Sequence, residues 1–501
     1  MQLLKRISYG ALLFLIQAHS VCAQKAVVFS AIKGTVSKPD TLSLVATVKK
    51  VAFVSGDSAA FKIQLLKNGK LIIVFAPATN FIGIARATLK TINSGKAITI
   101  DCTGLSTKGL EGENEAPLAT IADALGYQVN IGWPGLANNS LPQLQGDEIA
   151  ASLFHKAGKG KVEIIPVARY SPDFELPFGY YTDVNAMPEI HQVGVLAKAG
   201  AFPEHQTLFP AMASGGNSFD PGTKSFGFFA TGPSHTAYSE DVWNMLLFPA
   251  NAVHATRIYP LKDKTGKSTP NNYLLCFEEA KNGDFNDYVF LIKNIVPDTK
   301  DLFVKLFNGK NFDGWHTFLK DIGINKDPDN NFTIEDGVIH VLGKDLGYAM
   351  TQTAFSNYHF KVDFKWGERR WGSRTKEKRD AGVCYNIPVN EPDSIWPQSI
   401  ECQVQEGDVG DFWLLGFSTI KVNGVQNIPA NHTRMIKQKD GEKPTGEWNT
   451  LEIISYSGKC VQIVNGIVVN VGDEASVKNG RILLQSEFAE VYYKNVLLRK
   501  L

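Results

Sequence analysis

The chain has 501 residues, with 51 Lys and Arg against 50 Asp and Glu, so its formal net charge is +1. This balance argues against a nucleic-acid partner, because binding the phosphate backbone calls for an excess of clustered basic residues. Hydrophobic residues make up 44% of the chain, which excludes a disordered protein, and 44 Gly, 23 Pro and 30 Phe are typical of a turn-rich β protein. At roughly 100–200 residues per domain, the length predicts about three domains.

Residues 1–23 have the pattern of a bacterial-type secretory signal peptide. Lys5 and Arg6 supply a basic start, residues 11–16 form a short apolar run, and Ala23 ends it with a small side chain. The run is too short to span a bilayer, and no later stretch reaches about 18 consecutive apolar residues. We therefore expect cleavage near Ala23 and a secreted, periplasmic or cell-surface protein without a transmembrane segment.

Residues 24–140 are predicted to form an N-terminal β-rich domain. Residues 61–65 alternate apolar and polar side chains, and Asn68-Gly69 before a second apolar run predicts a hairpin. A helix is expected over residues 116–125, since Pro117 lies near its start and a glycine follows its end. No catalytic pattern accompanies these elements, which favours a scaffold or binding module.

Residues 141–298 are predicted to form a second β-domain, which begins with a helix-like stretch over 146–157. Its distinctive segment, residues 277–290, concentrates oxygen-bearing side chains just before a strand. The candidate metal ligands in it are Glu278, Asp284, Asn286 and Asp287. Such oxygen donors suit a hard cation such as Ca²⁺, although a solvated acidic turn explains the spacing equally well.

This acidic segment, together with residues 223–229 (TKSFGFF), resembles a β-domain of unknown function found in many secreted bacterial proteins. Those domains end with a Phe-Glu stretch, a Gly-rich turn and Asp-Phe-Asn-Asp before a strand. The resemblance implies a secreted accessory domain that could bind Ca²⁺ and that has no enzymatic activity.

Residues 302–501 consist of strand-like runs separated by Asn-Gly turns, the size and pattern of a single two-sheet sandwich or jelly roll. Alternation along a strand sorts the side chains into two faces. The faces predicted to lie in the core carry Phe360, Val362, Phe364, Trp366, Ile400, Cys402 and Val404. The opposite face carries Glu401 and Gln403, and near the C-terminus Gln485 and Glu487 also share a face. Rows of Glu and Gln are typical of a sugar-binding face and also of a solvated outer face.

Five cysteines follow the predicted signal peptide, at wide spacings and without a CxxC motif. Neither a disulfide framework nor a zinc site is therefore indicated. Most of these cysteines lie among strand-like residues, as small core hydrophobes do. Cys384 and Cys402 form the one pair for which we test a disulfide.

Two clusters of aromatic and charged residues favour sugar binding by residues 302–501. Segments 365–371 and 411–413 supply Trp side chains, whose flat faces stack on pyranose rings, and residues 401–411 add four carboxylates beside two glycines. The predicted substrate-binding residues are Trp366, Glu368, Arg369, Trp371, Asp380, Glu406, Asp408, Trp413 and Gln485.

Phrases along residues 302–501 also occur in the order seen in the 3-keto-disaccharide hydrolase domain family, which this region resembles. They are 306–315 (LFNGKNFDGW), 332–339 (FTIEDGVI), 379–383 (RDAGV), Glu401-x-Gln403, 447–449 (EWN), 464–466 (VNG) and 480–485 (GRILLQ). The resemblance implies a concanavalin-like jelly roll and secreted carbohydrate processing. We therefore expect an all-β, multidomain chain, in which two smaller β-rich domains precede a C-terminal concanavalin/laminin-G-like jelly-roll sandwich.

The resemblance makes cleavage of 3-keto-glycosides the first function to consider. A ketone at sugar carbon 3 acidifies the hydrogen at carbon 2, so that one base removes it and the aglycone leaves carbon 1 by elimination. This chemistry needs a general base, a group that polarises the ketone and a donor to the leaving oxygen. We assign Glu401 as base or metal ligand, Gln403 as the residue that orients the sugar, and Glu487 as a second carboxylate. A divalent metal such as calcium could hold the enolate charge, and no organic cofactor is expected.

Two alternatives remain open. Glu401 and Glu406 are spaced like the carboxylates of some jelly-roll glucanases, but residues five apart on a regular strand face opposite sides unless a β-bulge intervenes. A non-catalytic sugar-binding protein would need no paired carboxylates. The partner is a carbohydrate under all three hypotheses, and Glu401→Gln distinguishes catalysis from binding.

Overall fold

The computed structural model describes residues 24–44, 48–93, 96–109, 114–136, 142–182, 186–199, 204–278 and 280–501. The predicted signal peptide at residues 1–23 lies outside the described residues. The chain divides into two compact units, Met1–Lys108 and Gly109–Leu501. Within the described ranges, no helix is both long enough and apolar enough to cross a bilayer.

The first unit contains a four-stranded and a three-stranded sheet around an apolar core. The four-stranded sheet has the order Gln24–Ile32, Lys96–Thr107, Gly83–Asn93 and Val48–Gly56, and its first two strands are parallel. The three-stranded sheet has the order Asp40–Ser43, Lys70–Phe75 and Phe61–Leu65, and a 3₁₀ turn covers Ser58–Ala60. The predicted hairpin is present: its two strands pair antiparallel, and Gly69 supplies the φ of +76° that the turn needs.

The second unit begins with the helix Leu118–Ala124 and continues into two sheets that pack around a phenylalanine-rich core. One sheet has the order Met212–Gly215, Glu189–Leu196, Leu176–Thr182, Gly227–Thr231 and Thr236–Tyr238. The other has the order Glu204–Leu208, Val162–Pro172, Tyr288–Lys293, Ser268–Phe277 and Thr256–Lys262, with Ser218–Phe219 on its second strand. Phe154–Lys156 pairs with Ile295–Pro297.

Two helix expectations for this part of the chain need correction. The stretch 146–157 is not helical: turns and bends lead into the strand Phe154–Lys156. A short helix, Asp241–Leu247, forms where none was expected, and it buries five of its seven residues. The helix predicted over 116–125 is present as Leu118–Ala124, and it lies in the second unit with the strands that follow it.

The C-terminal part of the second unit is a sandwich of two antiparallel sheets. The eight-stranded sheet has the order Phe332–Glu335, Val338–Val341, Ala489–Lys500, Tyr358–Arg370, Asn449–Tyr456, Lys459–Val464 and Ile467–Gly472, with Val304–Lys305 on its third strand. The nine-stranded sheet has the order Gly323–Ile324, Trp315–Leu319, Gly347–Thr351, Asn479–Ser486, Gly382–Ile387, Ser399–Gln403, Phe412–Leu415 and His432–Met435, with Phe355–Ser356 on its fourth strand. Lys421–Val422 pairs with Val425–Gln426, and a 3₁₀ turn covers Gly372–Thr375.

The apolar faces of the two sheets meet in one core, as alternation predicted. Phe360, Val362 and Phe364 face it from one sheet, and Ile400 and Cys402 face it from the other. The expected all-β class with a C-terminal jelly-roll sandwich is therefore confirmed.

The back of the eight-stranded sheet is not free. Ile454 and Val461, on the side of this sheet away from the sandwich core, pack with Trp243 of the short helix in a second apolar cluster. At its edge Arg499 and Glu240 form a buried ion pair of 2.8 Å, and Tyr181 donates a 2.9 Å hydrogen bond to the same carboxylate. Because a buried charge is tolerated only when it is paired and hydrogen-bonded, this contact fixes the sandwich against the preceding β region.

The five cysteines after the predicted signal peptide are all buried and free. Cys402 pairs in register with Val383 and faces the core, whereas Cys384 pairs with Glu401 on the other face of the same sheet. Side chains on opposite faces cannot form a disulfide. The tested pair, Cys384 with Cys402, is therefore not bonded.

Candidate functional site

Three neighbouring strands of the nine-stranded sheet carry the predicted catalytic residues on the face away from the core. We call them the Gln485 strand (Asn479–Ser486), the Gly382 strand (Gly382–Ile387) and the Glu401 strand (Ser399–Gln403). The Gln485 strand, which precedes Glu487, does not pair directly with the Glu401 strand. The Gly382 strand lies between them and pairs with both.

Gly382 lets side chains from the two outer strands meet across the middle one. A Cβ atom at this position would lie 1.9 Å from Glu401 Oε1 and 2.4 Å from Gln485 Oε1, far inside any real contact distance. The absence of a side chain thus leaves the space in which the ends of the Glu401 and Gln485 side chains approach each other. Gln485 also donates from Nε2 to Cys384 Sγ at 3.2 Å.

Three carboxyl groups surround this point, and we call Asp380, Glu401 and Glu487, with Gln403 and Gln485, the carboxylate face. The charges of Glu487 and Asp380 act on Glu401, and the carboxyl groups of Asp380 and Glu487 are hydrogen-bonded to each other. Glu401 and Asp380 are 5% and 4% exposed, whereas Glu487 is half-buried at the rim. Like charges this close cannot all ionise, so at least one of these groups keeps a proton.

The pKa values on this face follow from burial and crowding. Burial, then the charges of Glu487 and Asp380, raise the pKa of Glu401 well above its ordinary value. Burial and the charge of Asp380 raise the pKa of Glu487 to about 7, against the opposing effects of Trp396 and Arg374. Burial also raises the pKa of Asp380. The site therefore holds carboxyl groups that can give and take protons near neutral pH.

Three further residues support this face, and sequence reasoning missed two of them, Arg374 and Trp396. Arg374, from the 3₁₀ turn, forms an ion pair with Asp380, and Gln405 donates to the same carboxylate at 2.8 Å. Trp396 is 42% exposed and donates from Nε1 to Glu487 at 3.0 Å. Alternation places Gln405 on the face of Glu401 and Gln403, but Arg374 and Trp396 lie in segments whose position depends on the fold.

The predicted Trp residues lie in different surroundings. Trp413 pairs in register with Glu401, so it shares the carboxylate face, and it is half-buried there. Trp371 is half-buried beyond the edge of this face and bonds through its backbone N–H to the residue after Glu487. Trp366 is 3% exposed within the sandwich core, so its predicted role in stacking on a sugar is wrong.

The remaining predicted substrate-binding residues lie away from Glu401. Glu406 forms an ion pair of 3.2 Å with Arg379, and Asp408 forms one of 2.8 Å with Lys378. Glu368 and Arg369 are exposed, and their backbone N–H groups bond to the carboxylate of Glu490. The density of acidic residues in 401–411 therefore reflects ion pairs around the loop as well as the carboxylate face.

The predicted metal ligands of residues 277–290 do come together. Oxygens of Glu278, Asp284 and Asp287 lie within 4.8 Å of one another, and all three residues are buried. Among the residues that the structure describes, these three form the one group of three or more His, Cys, Asp or Glu side chains whose ligand atoms lie this close together. Glu401 does not belong to it. Asn286 lies in the same loop and donates to the Ala116 carbonyl at 2.9 Å.

Solved structures resemble part of this chain. No curated protein matches the chain. A solved putative glycosyl hydrolase from Parabacteroides distasonis is 21% identical, covering 40% of this chain and 94% of its own, with a TM-score of 0.29. The β-glucanase of Bacillus licheniformis is 11% identical over 41% of this chain and 100% of its own, with a TM-score of 0.27. A carbohydrate-binding module from Bacillus subtilis is 10% identical, covering 37% of this chain and 95% of its own, with a TM-score of 0.26.

The family model of the 3-keto-alpha-glucoside-1,2-lyase-like domain matches residues 302–499. These bounds coincide with the two-sheet sandwich and contain the whole carboxylate face. The resemblance found in the sequence of this region is confirmed, and its carbohydrate-active character follows from the family. Residues 302–499, about two fifths of the chain, are therefore similar to the 3-keto-alpha-glucoside-1,2-lyase-like domains.

Proposed function

We propose that the C-terminal domain cleaves the glycosidic bond of 3-keto-glycosides by elimination at the carboxylate face. The observation that carries the proposal is the crowding of Asp380, Glu401 and Glu487 on one sheet face, over a gap that Gly382 leaves open. In the reaction a base takes the proton from carbon 2, a carbon 1–carbon 2 double bond forms, and the bond from carbon 1 to the aglycone oxygen breaks with protonation of that oxygen. Addition of water then completes hydrolysis.

Glu487 suits the role of the base. It lies at the rim, where a sugar can reach it, and its pKa of about 7 lets it exist as a carboxylate that accepts a proton at neutral pH. Arg374 holds Asp380 on the far side of Glu487, which positions the second carboxylate of the pair. We therefore transfer the role of base from Glu401, where sequence reasoning put it, to Glu487.

Glu401 suits the role of the donor to the leaving oxygen. Its burial and its two acidic neighbours raise its pKa and so favour its protonated form, and a protonated carboxyl group can give its proton to the aglycone oxygen. Gln485 orients Glu401 from across Gly382. Gln403 and Gln485 supply amides for the ketone and hydroxyl groups, and the exposed ring of Trp396 offers a stacking surface.

A binding-only role explains less of this arrangement. A surface that only holds sugar hydroxyls gains nothing from burying three mutually repelling carboxyl groups, since each must be desolvated at a cost in free energy. The glucanase-like pair of Glu401 and Glu406 is disfavoured as well. Glu406 is held by Arg379, while the charges that act on Glu401 come from Glu487 and Asp380.

The test compares two variants on substrates with different leaving groups. Glu487→Gln should lower kcat/KM on every 3-keto-glucoside by about 10²–10⁴, and it should remove the fall in activity of the parent enzyme below about pH 7. Glu401→Gln should be as impaired with an alkyl aglycone but largely restored with a p-nitrophenyl aglycone, which leaves without protonation. Glu335→Gln, an exposed Glu on the other sheet, is the control.

Three results would contradict the proposal. One is that no 3-keto-glycoside is turned over while sugars still bind, which would favour the binding module. Another is that an ordinary glycoside is cleaved faster than its 3-keto form. The third is that a chelator abolishes turnover by the parent enzyme and by every variant, which would mean that a metal ion stabilises the enolate charge.

We also propose that the protein acts outside the cytoplasm, as the signal-like pattern of residues 1–23 predicts. N-terminal sequencing of the natural protein should give a start at or near Gln24. An intact Met1, or a lipid on Cys22, would refute this.

A further inference from the structure

We propose that the loop of residues 278–287 binds a hard divalent cation, and that this cation is Ca²⁺. The proposal does not depend on the reaction proposed above. The site is held by Glu278, Asp284 and Asp287, whose oxygens lie within 4.8 Å of one another. The sheet itself brings the ends of this loop together. Phe277 and Tyr288 are paired across neighbouring strands, so Glu278 and Asp287 leave and enter the sheet side by side.

The loop contains oxygens that lack a donor. Asp284 Oδ2 accepts from Asn282 Nδ2 at 2.5 Å, but Asp284 Oδ1 is buried without a hydrogen bond. Asn286 is fully buried, and its side-chain oxygen also has no hydrogen-bond donor. Its backbone N–H donates to the Asp284 carboxylate. A buried acceptor without a donor costs free energy, and a metal ion is a partner that satisfies such oxygens at once.

The excess of negative charge leads to the same conclusion. Glu115, also buried, hydrogen-bonds with Asp284 and brings a fourth carboxyl group to the loop. A divalent cation among these buried carboxyl groups would offset their mutual repulsion, and oxygen-only ligands favour a hard cation over zinc or copper.

Trp133 provides a reporter for the site. Its ring lies 6.1 Å, centroid to centroid, from the ring of Phe285, which stands between Asp284 and Asn286 in the loop. Tb³⁺, a luminescent substitute for Ca²⁺, should therefore emit when Trp is excited in the full-length protein. Ca²⁺ should displace it, and Trp133→Phe should reduce the emission without reducing Ca²⁺ binding measured by calorimetry.

Two variants test the ligands. In the parent, saturating Ca²⁺ should raise Tm by about 5 °C over EDTA. Asp284→Asn and Glu278→Gln should lose this rise and the Tb³⁺ emission, yet be at least as stable as the parent in EDTA, because each removes one ionisable group from a crowded, buried cluster. The matched control is Asp263→Asn, in another acidic turn of the same sheet, where the carboxylate bonds to Thr265 and Lys267. It should keep the Ca²⁺ response.

Several outcomes would overturn the inference. The absence of a Tm shift with millimolar Ca²⁺, Mg²⁺ and Mn²⁺ would leave a solvated acidic turn as the explanation. A Ca²⁺ response retained in both ligand variants would place the cation elsewhere. Because none of these readouts uses turnover, failure here leaves the proposed reaction untouched, and failure of the reaction leaves the cation site untouched.

Discussion

Replacing Gly382 by Ala separates the geometry of the carboxylate face from the stability of the fold. The new Cβ would lie 1.9 Å from Glu401 Oε1, and real Cβ contacts are essentially never shorter than 3.0 Å, so the carboxyl group must move by about 1.1 Å. Gln485 Oε1, at 2.4 Å, must move as well. A displacement of about 1 Å in a reacting group costs about 10²-fold in rate, so we expect kcat/KM to fall by at least that factor.

The fold should tolerate this substitution, because Gly382 lies in a strand and the atoms it meets are the ends of side chains. We expect overpacking to cost about 1–3 kcal/mol of unfolding free energy. Gly472→Ala is the matched control, since its Cβ would lie 2.2 Å from Ile420 Cδ1 in the same sandwich but away from the site. It should lose similar stability in urea denaturation and keep its activity. If Gly382→Ala turned over a 3-keto-glucoside within twofold of the parent rate, the approach of Glu401 and Gln485 would have no part in catalysis.

Three further predictions concern other residues. Trp366→Ala should lower the free energy of unfolding by about 3–5 kcal/mol, measured by urea denaturation, because the side chain fills the sandwich core; a loss below about 1 kcal/mol would contradict its burial. Trp396→Ala should raise KM about tenfold with little change in Tm, the effect of losing a stacking contact worth about 1.4 kcal/mol; an unchanged KM would exclude Trp396 from the sugar site. In EDTA, Tm should fall as the pH rises from about 5 to 8. The pKa values of Glu278 and Asp284 are about 8 and 6 in the folded state and lower in the unfolded state. The folded state therefore binds more protons than the unfolded state in this pH range, and it loses stability as the pH rises. Ca²⁺ should flatten this profile, and a Tm that rises with pH in EDTA would have the wrong sign.

Alternation was sufficient to predict which way the strand residues face. Ile400 and Cys402 lie in the core, and Glu401 and Gln403 lie on the opposite face, because a strand has no other way to place successive side chains. The same rule put Trp366 among core residues, and the structure agrees with it. The error was to choose Trp366 for sugar stacking on the strength of its nearness in sequence to charged residues.

The arrangement of the strands could not be predicted from periodicity. That the Gly382 strand separates Glu401 from Gln485 depends on its pairing with the Gln485 strand, which lies about 100 residues further along the chain, and local patterns do not encode such a pairing. The role of Gly382, which leaves room for the side chains of Glu401 and Gln485, becomes visible only once the strands on both sides of it are known. Arg374 and Trp396 reach the site from irregular segments, where the chain has no repeating pattern from which to infer direction.

The apolar cluster behind the eight-stranded sheet covers one of the two outer faces of the sandwich. A fragment that begins at residue 302 would expose Ile454 and Val461 to water and strip Arg499 of its buried partner Glu240. Such a fragment should aggregate, whereas residues 109–501 should unfold as one transition. A ligand that approaches a sheet face of this sandwich is thereby directed to the nine-stranded sheet, where Glu401 and its neighbours lie.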